Sequence, residues 1–347
     1  MIVERVTLRN YRSYASLDLE LRTGIVLVVG ENGAGKTNLL ESLHLATQGF
    51  SPRTRTDAQL IRFGETAARV SLAGRREERP VEVSVTLREA EAKEARLNGA
   101  PLPSAEALRR EFSTLVFTPD RLTIVKGPPA ARRAYFDRVL GRVSPPQAAV
   151  PQDYAAVLVQ RNAALRRVQL GLSDTAALAP WTERVADLGG RLAEARRETV
   201  ARLEPGFAER AAELGVPTAR LGYDTEPPTV AALEARLQRD VDRGATGIGP
   251  HLDDVLIASG DRDLRRFGSQ GEQRLVVLAL LLAEAELLPR RPLFLLDDVL
   301  SELDAGRRRI LAARVSGAGQ TLVTATEAVS LPAEPAQVVE VVPGRAW

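Results

Sequence analysis

The segment Gly30-Glu31-Asn32-Gly33-Ala34-Gly35-Lys36-Thr37 carries the G-x-x-x-x-G-K-[ST] spacing of a phosphate-binding P-loop. Glycines let backbone N–H groups turn inward and approach phosphate oxygens with no Cβ in the way. Lys36 has the reach to meet β and γ phosphates, and the Thr37 hydroxyl is a hard oxygen suited to Mg²⁺. At this composition the spacing arises by chance about 0.002 times, so an accidental glycine turn is set aside. The chemistry implied is binding of a nucleoside triphosphate.

Two further segments could act on such a ligand. Ser269-Gln270-Gly271-Glu272-Gln273 precedes a long apolar helical pattern over 274–288. Ser269 and Glu272 have capping-box spacing, so a helix should start there. Its free N–H groups, with the Ser269 hydroxyl and Gly271, offer a second anion site. From the pentapeptide alone, an ordinary capped helix is an equal reading. Then Leu293-Phe294-Leu295-Leu296 reads as a buried parallel strand ending in Asp297-Asp298. The first carboxylate is placed to hold Mg²⁺, and the second to orient or deprotonate an attacking water. Ser301-Glu302-Leu303-Asp304 is a polar turn opening another helix. His251 beside Asp253 and Asp254 suggests a metal only weakly, and a structural turn is the better reading.

These residues need elements to hold them. The apolar run 25–29 is the strand before the P-loop, and a helix follows with Leu39, Leu40, Leu43 and Ala46 on one face. Gly49 should stop that helix, and His44 should lie on its solvated side. Residues 2–8 and 16–22 alternate as a strand pair, and 70–72 and 81–87 read as further strands. Between 122 and 241 strand patterns fade into helical stretches such as 154–169 and 181–203. Prolines at 145, 146, 151, 180, 205, 217, 227 and 228 are expected to cut these into short helices and exclude a long coiled coil. The α/β pattern returns at 254–258. The fold class expected is α/β, a P-loop ATPase head with a mixed sheet, antiparallel at its N-terminal part, and an inserted helical arm. The head would comprise 1–121 and 246–347, and the arm 122–245.

Composition sets outer bounds. The chain has 347 residues, no cysteine and a net charge of +2, so no disulfide or thiolate metal site exists. Arginine outnumbers lysine 44 to 3 within a near-balanced charge total, which does not by itself call for nucleic acid. No charge-free apolar stretch has transmembrane length, and the first residues lack signal-peptide character. A cytoplasmic protein without a membrane partner is expected.

The order of P-loop, S-x-G-E-Q, apolar strand with two carboxylates, and S-x-L-D resembles the ATP-binding-cassette ATPases, with their signature motif, Walker B and D-loop. The resemblance implies ATP as the nucleotide. It also implies that Ser269, Gly271, Glu272 and Gln273, with Ser301 and Asp304, complete the ATP site of an opposite subunit in a two-fold sandwich dimer. Leu8-Arg9-Asn10-Tyr11-Arg12-Ser13 is similar to the L-x-N-[FY]-[RK]-S segment of the SMC and RecF group, which places Arg12 beside the nucleotide. Transporter cassettes lack that segment and usually carry a switch histidine, where Thr326 stands here. SMC heads are split by very long coiled coils, whereas this insert is short. Phe117-Thr118-Pro119-Asp120, Val125-Lys126-Gly127-Pro128, Arg132-Arg133 and Gly249-Pro250-His251-Leu252-Asp253-Asp254 are similar to segments of the RecF family, with Leu252 where that family usually has arginine.

The RecF resemblance implies an ATP-dependent DNA clamp in recombinational repair. It would act at gaps or junctions with RecR and RecO, help load RecA, and use slow ATP hydrolysis through Asp298 as a release switch, without nuclease activity. Candidate DNA contacts are Arg53, Arg55, Arg62, Arg132, Arg133, Arg161, Arg166 and Arg167. A transporter cassette, or another SMC-like head acting through protein contacts, are the competing readings.

Overall fold

A computed structural model describes residues 1–317, 319–327 and 332–347. The chain divides into two compact units, Met1–Arg121 with Leu288–Trp347, and Leu122–Leu287. The helices used below are α1 (Lys36–Gln48), α2 (Pro129–Val143), α3 (Val150–Gln169), α4 (Ala179–Glu213), α5 (Gln270–Leu287) and α6 (Ala305–Ser316).

The first unit holds two six-stranded sheets. One is antiparallel, in the order β2 (Tyr14–Glu20), β1 (Ile2–Tyr11), β4 (Ala67–Arg76), β5 (Arg79–Arg88), β6 (Glu94–Leu97), β7 (Ala100–Pro101). Alternation buries Val6 and Leu8 along β1 and Val81, Val83 and Val85 along β5, and a register shift between Val3 and Arg5 lets Val3 be buried as well. The other sheet runs β15 (Arg345–Ala346), β14 (Gln337–Val342), β3 (Ile25–Val29), β13 (Thr321–Ala325), β12 (Leu293–Leu296), β8 (Thr114–Phe117). Its β14, β3, β13, β12 and β8 are mutually parallel. These strands read as unbroken apolar runs because both faces are covered: all four residues of β12 and all five of β13 are buried. The order places β3, which leads into the P-loop, beside β13, and β13 beside β12, which ends at Asp297.

The second unit is built on α2 to α5, with a small antiparallel sheet of β9 (Ala219–Gly222), β10 (Leu256–Ser259) and β11 (Arg262–Asp263). Residues 246–287, expected in the head, pack with this helical unit. The reason is α5, which is buried on every face from Leu275 to Glu284 and packs along α4. The prolines also act differently from expectation. Pro205 lies inside α4, which continues for 35 residues, because Leu203, Phe207 and Ala211 are buried around it and packing outweighs one lost backbone hydrogen bond. Pro151 and Pro180 sit in the first turns of α3 and α4, where a missing N–H costs nothing. No helix among the described residues is long and apolar enough to cross a membrane.

Candidate nucleotide and signature sites

The P-loop conformation depends on its glycines. Gly30, Gly33 and Gly35 have φ of +155°, +84° and +117°. A Cβ on Gly30 would meet the Val341 carbonyl oxygen at 2.2 Å, and one on Gly35 would lie 3.0 Å from Ser13 Oγ. Gly35 is also the N-cap of α1, which has no side-chain cap and no acidic residue in its first turn. Its positive end is therefore left for an external anion. Lys36 Nζ donates to the carbonyls of Gly30 (2.6 Å) and Glu31 (2.9 Å), arching over the loop. Burial lowers its pKa, opposed by the nearby carboxylates of Asp298 and Asp297.

The metal-binding chemistry sits at the tip of β12. Thr37 Oγ1 donates to Asp297 Oδ1 at 3.0 Å, and Thr324 Oγ1 donates to the same oxygen at 2.9 Å. Asp297 is buried, and desolvation raises its pKa against the hydroxyl hydrogen bonds and the Arg53 charge. A desolvated carboxylate supported by hydroxyls rather than an ion pair fits a hard dication such as Mg²⁺, with Thr37 and Asp297 as oxygen donors. Asp298 is exposed in the left-handed region, with φ of +52°, a conformation aspartate tolerates better than most residues. Its N–H is anchored on Thr324 Oγ1 at 2.8 Å, and Ser301 Oγ donates to its carbonyl at 2.9 Å. Among the described residues its contacts are through the backbone, and the Asp298 carboxylate accepts no hydrogen bond. Thr324 thus fixes both aspartates from the neighbouring strand, a role that no local motif announced.

Arg12 lies close to this loop but is engaged by protein. It pairs with the buried Glu41 of α1 through Nε (2.9 Å) and NH2 (2.8 Å), and NH1 donates to the Gln59 carbonyl. Burial lowers its pKa, but the Glu41 hydrogen bond and charge outweigh that and leave it raised. Ser51 and Arg53 also reach Glu41. His44, expected in solvent, is buried and bonds the Phe50 carbonyl at 2.9 Å through Nδ1, because the chain after Gly49 folds back over α1.

In the second unit, the S-x-G-E-Q segment opens α5 as a reciprocal capping box. Ser269 N donates to Glu272 Oε2 at 2.9 Å, and Glu272 N donates to Ser269 Oγ at 3.2 Å. The Ser269 N–H holds Glu272 below its usual pKa, with help from Arg262. Ser269 and Gly271 face solvent, whereas Gln273 is buried and donates to the Leu264 carbonyl at 2.7 Å. Asp304 N-caps α6 by accepting from Arg307 N at 2.9 Å, and Ser301 is exposed.

The 249–254 segment is saturated by protein. His251 Nε2 lies 3.0 Å from the Thr246 carbonyl, so it carries the proton and Nδ1 accepts from Tyr154 OH at 2.8 Å. Asp253 accepts from Tyr223 and Thr225, and Asp254 forms a two-point pair with Arg132, both contacts 2.6 Å. No metal-ligating cluster occurs among the described residues. Two proposed DNA contacts are withdrawn from the surface: Arg132 is 3% exposed, and Arg161 is fully buried against Asp240. Arg53, Arg55, Arg166 and Arg167 remain exposed, Arg62 and Arg133 are half-buried, and Lys126 is exposed at the end of a short helix.

The RecF/RecN/SMC N-terminal domain family matches residues 2–343. The chain is 37% identical to the DNA replication and repair protein RecF of Frankia alni, over 96% of each chain. It is 34% identical to that of Heliobacterium modesticaldum, over 94% of this chain and 92% of the relative. This chain belongs to the RecF family. Solved structures agree: one of the recombination mediator protein RecF with ATP, in the RecFOR pathway, superposes with a TM-score of 0.89 at 25% identity, covering 99% of this chain and 96% of the other. An Smc head bound to the C-winged helix domain of ScpA shares the fold, with a TM-score of 0.62 at 17% identity over 100% of this chain and 96% of that one. The fold is therefore the α/β head of the SMC-like cassette ATPases.

Proposed function

We propose that this chain is an ATP-driven DNA clamp of recombinational repair. It would bind gaps or junctions, work with RecR and RecO to help load RecA, and open on slow ATP hydrolysis. The observation that carries the reading is the pairing of two incomplete anion sites. The α1 N-terminus offers N–H groups and Lys36 with no internal anion. Ser269 and Gly271, at the start of α5, face solvent.

In this reading the P-loop N–H groups and Lys36 bind the β and γ phosphates. Thr37 and Asp297 hold Mg²⁺, which when bound neutralises phosphate charge. Ser269 and Gly271 of a second copy close over the γ phosphate, with Ser301 and Asp304 near the same seam. Asp298 orients and deprotonates the attacking water. Cassette ATPases usually have glutamate there. The aspartate is one methylene shorter, which supports slow turnover and a switch rather than a motor. ATP affinity and DNA affinity are then linked through dimer closure. The exposed arginines Arg53, Arg55, Arg166 and Arg167 are the candidate phosphate contacts, without base readout.

Complementation tests the sandwich. Lys36→Ala and Ser269→Arg chains should each fail to turn over ATP, whereas an equimolar mixture should recover activity, because each mixed dimer keeps one intact pocket. A mixture as inactive as either variant alone overturns the sandwich. Equal DNA affinity with and without ATP overturns the clamp.

A further inference from the structure

Helix α5 presents a mechanical problem. Its ten consecutive residues Leu275–Glu284 are buried, nine of them apolar. Apolar contacts are non-directional, so over this stretch rotation and axial position rest on the few polar links the helix makes: Gln273 to the Leu264 carbonyl at its start, the half-exposed Glu286 to Arg210 of α4 at 3.6 Å near its end, and one group buried between them. Yet its first turn carries Ser269 to Gly271, whose aim depends on both.

The one charged group in that buried stretch is Glu284, which is 0% exposed. Two residues of α2 meet it. Arg142 NH2 approaches Oε1 at 2.6 Å, and Tyr135 OH donates to Oε2 at 3.1 Å. The Arg142 contact is an ion pair without hydrogen-bond alignment, and Arg142 Nε is buried with no partner among the described residues. Such a pair is a poor source of stability, since desolvation offsets its attraction. What the site supplies is position: a buried carboxylate must stay within reach of its guanidinium, and the Tyr135 hydrogen bond gives the contact its direction.

The partner helix is itself unusually well anchored. Arg132 of α2 pairs with Asp254, Arg133 donates to the Asp253 carbonyl at 2.6 Å, and Asp137 forms a two-point pair with Arg196 of α4. Arg196 in turn donates to the Pro250 carbonyl at 2.6 Å. α2 is therefore a strut fixed to α4 and to the 249–254 segment, and Arg142 and Tyr135 carry it onward to Glu284 of α5.

We infer that the Glu284–Arg142 pair, with Tyr135, is a positioning device that sets the register of α5 and so the aim of Ser269 and Gly271. It acts from 13 residues away along the helix, about 20 Å at 1.5 Å per residue. The inference deepens the sandwich reading and rests on it for its consequence, though not for its geometry. It also gives the 249–254 segment a purpose: it braces the strut.

The test uses the triple variant Glu284→Leu/Arg142→Met/Tyr135→Phe in the full chain, which replaces the pair and the hydroxyl that bonds it by apolar groups and leaves no orphaned donor. Three results are expected. The melting temperature is not lowered, and binding of a fluorescent ATP analogue to the P-loop stays within about twofold. Hydrogen exchange at residues 269–273 of the ATP-free protein rises by at least about fivefold, and ATP-driven dimerisation measured by sedimentation weakens by a similar factor. Unchanged exchange at 269–273 overturns the inference. A triple variant that loses stability also overturns it, because these groups would then be holding the fold together instead of setting register. Failure of the unaltered protein to dimerise with ATP sinks the sandwich reading instead, and the exchange measurement still decides this one.

Discussion

The chain contains two Asp-Asp steps that matter, and they have opposite fates. Asp253-Asp254, in the helical unit, is consumed: Tyr223 and Thr225 donate to the first, and Arg132 grips the second at two points. Asp297-Asp298, at the tip of β12, is left available. Asp297 is buried among hydroxyls with no ion pair among the described residues, and Asp298 is exposed on a left-handed turn. One pair closes a structure, and the other keeps its charge for a ligand. A dipeptide therefore says nothing about chemistry until its partners are known, since a carboxylate already neutralised by guanidinium has no reason to take a metal.

The contrast is sharpest in turnover. Asp298→Asn should lower ATP hydrolysis by at least about 100-fold and leave ATP-bound dimers to accumulate, as expected for loss of a general base. Steady-state turnover and sedimentation check this, and an Asn variant hydrolysing at the parental rate would dissolve the contrast from the catalytic side. The structural pair should fail in the other way. Asp254→Ala leaves the buried Arg132 guanidinium with only the Val125 and Gly127 carbonyls, at a cost of about 3 kcal/mol, the low end for a broken buried pair because those bonds remain and Asp254 is 40% exposed. Denaturant melts should show this with P-loop nucleotide affinity unchanged. A variant that melts normally would mean that the segment is not structural.

The smallest effect is a pH dependence. Asp297 has its pKa raised in the folded protein, so the folded state holds that proton more tightly than the unfolded one. Its contribution to stability is therefore fullest below the ordinary aspartate value of 3.8 and falls as pH rises through the folded pKa. Asp297→Asn has no proton to lose. In nucleotide-free protein it should gain stability relative to the parent as pH rises from acid to neutral, while losing Mg²⁺-dependent ATP binding. Parallel stability–pH curves for the two proteins would show that the carboxylate is not strained by burial.

Some of this was readable from residue order. The P-loop, the capping box at Ser269 and the paired first strands depend on local rules: glycine sterics, side-chain reach over three residues, and period-two alternation. The errors share one cause. His44 looked solvated and Arg132 and Arg161 looked like candidate DNA contacts, but tertiary packing buries all three, His44 under the chain that turns back after Gly49. Pro205 looked like a helix stop, but α4 runs through it with Leu203, Phe207 and Ala211 packed alongside.

Local spacing alone determined that a phosphate-binding loop stands before a helix, and that a capped helix and a carboxylate-tipped strand follow later in the chain. Those features involve residues only a few positions apart, where backbone geometry leaves little choice. Tertiary structure decided which charges are spent and which are kept. Thr324 reaches Asp297 from 27 residues away, Arg132 reaches Asp254 from 122, and Arg142 reaches Glu284 from the far side of the arm's sequence. Desolvation and pairing depend on what surrounds a group in space, and sequence neighbours supply little of that environment.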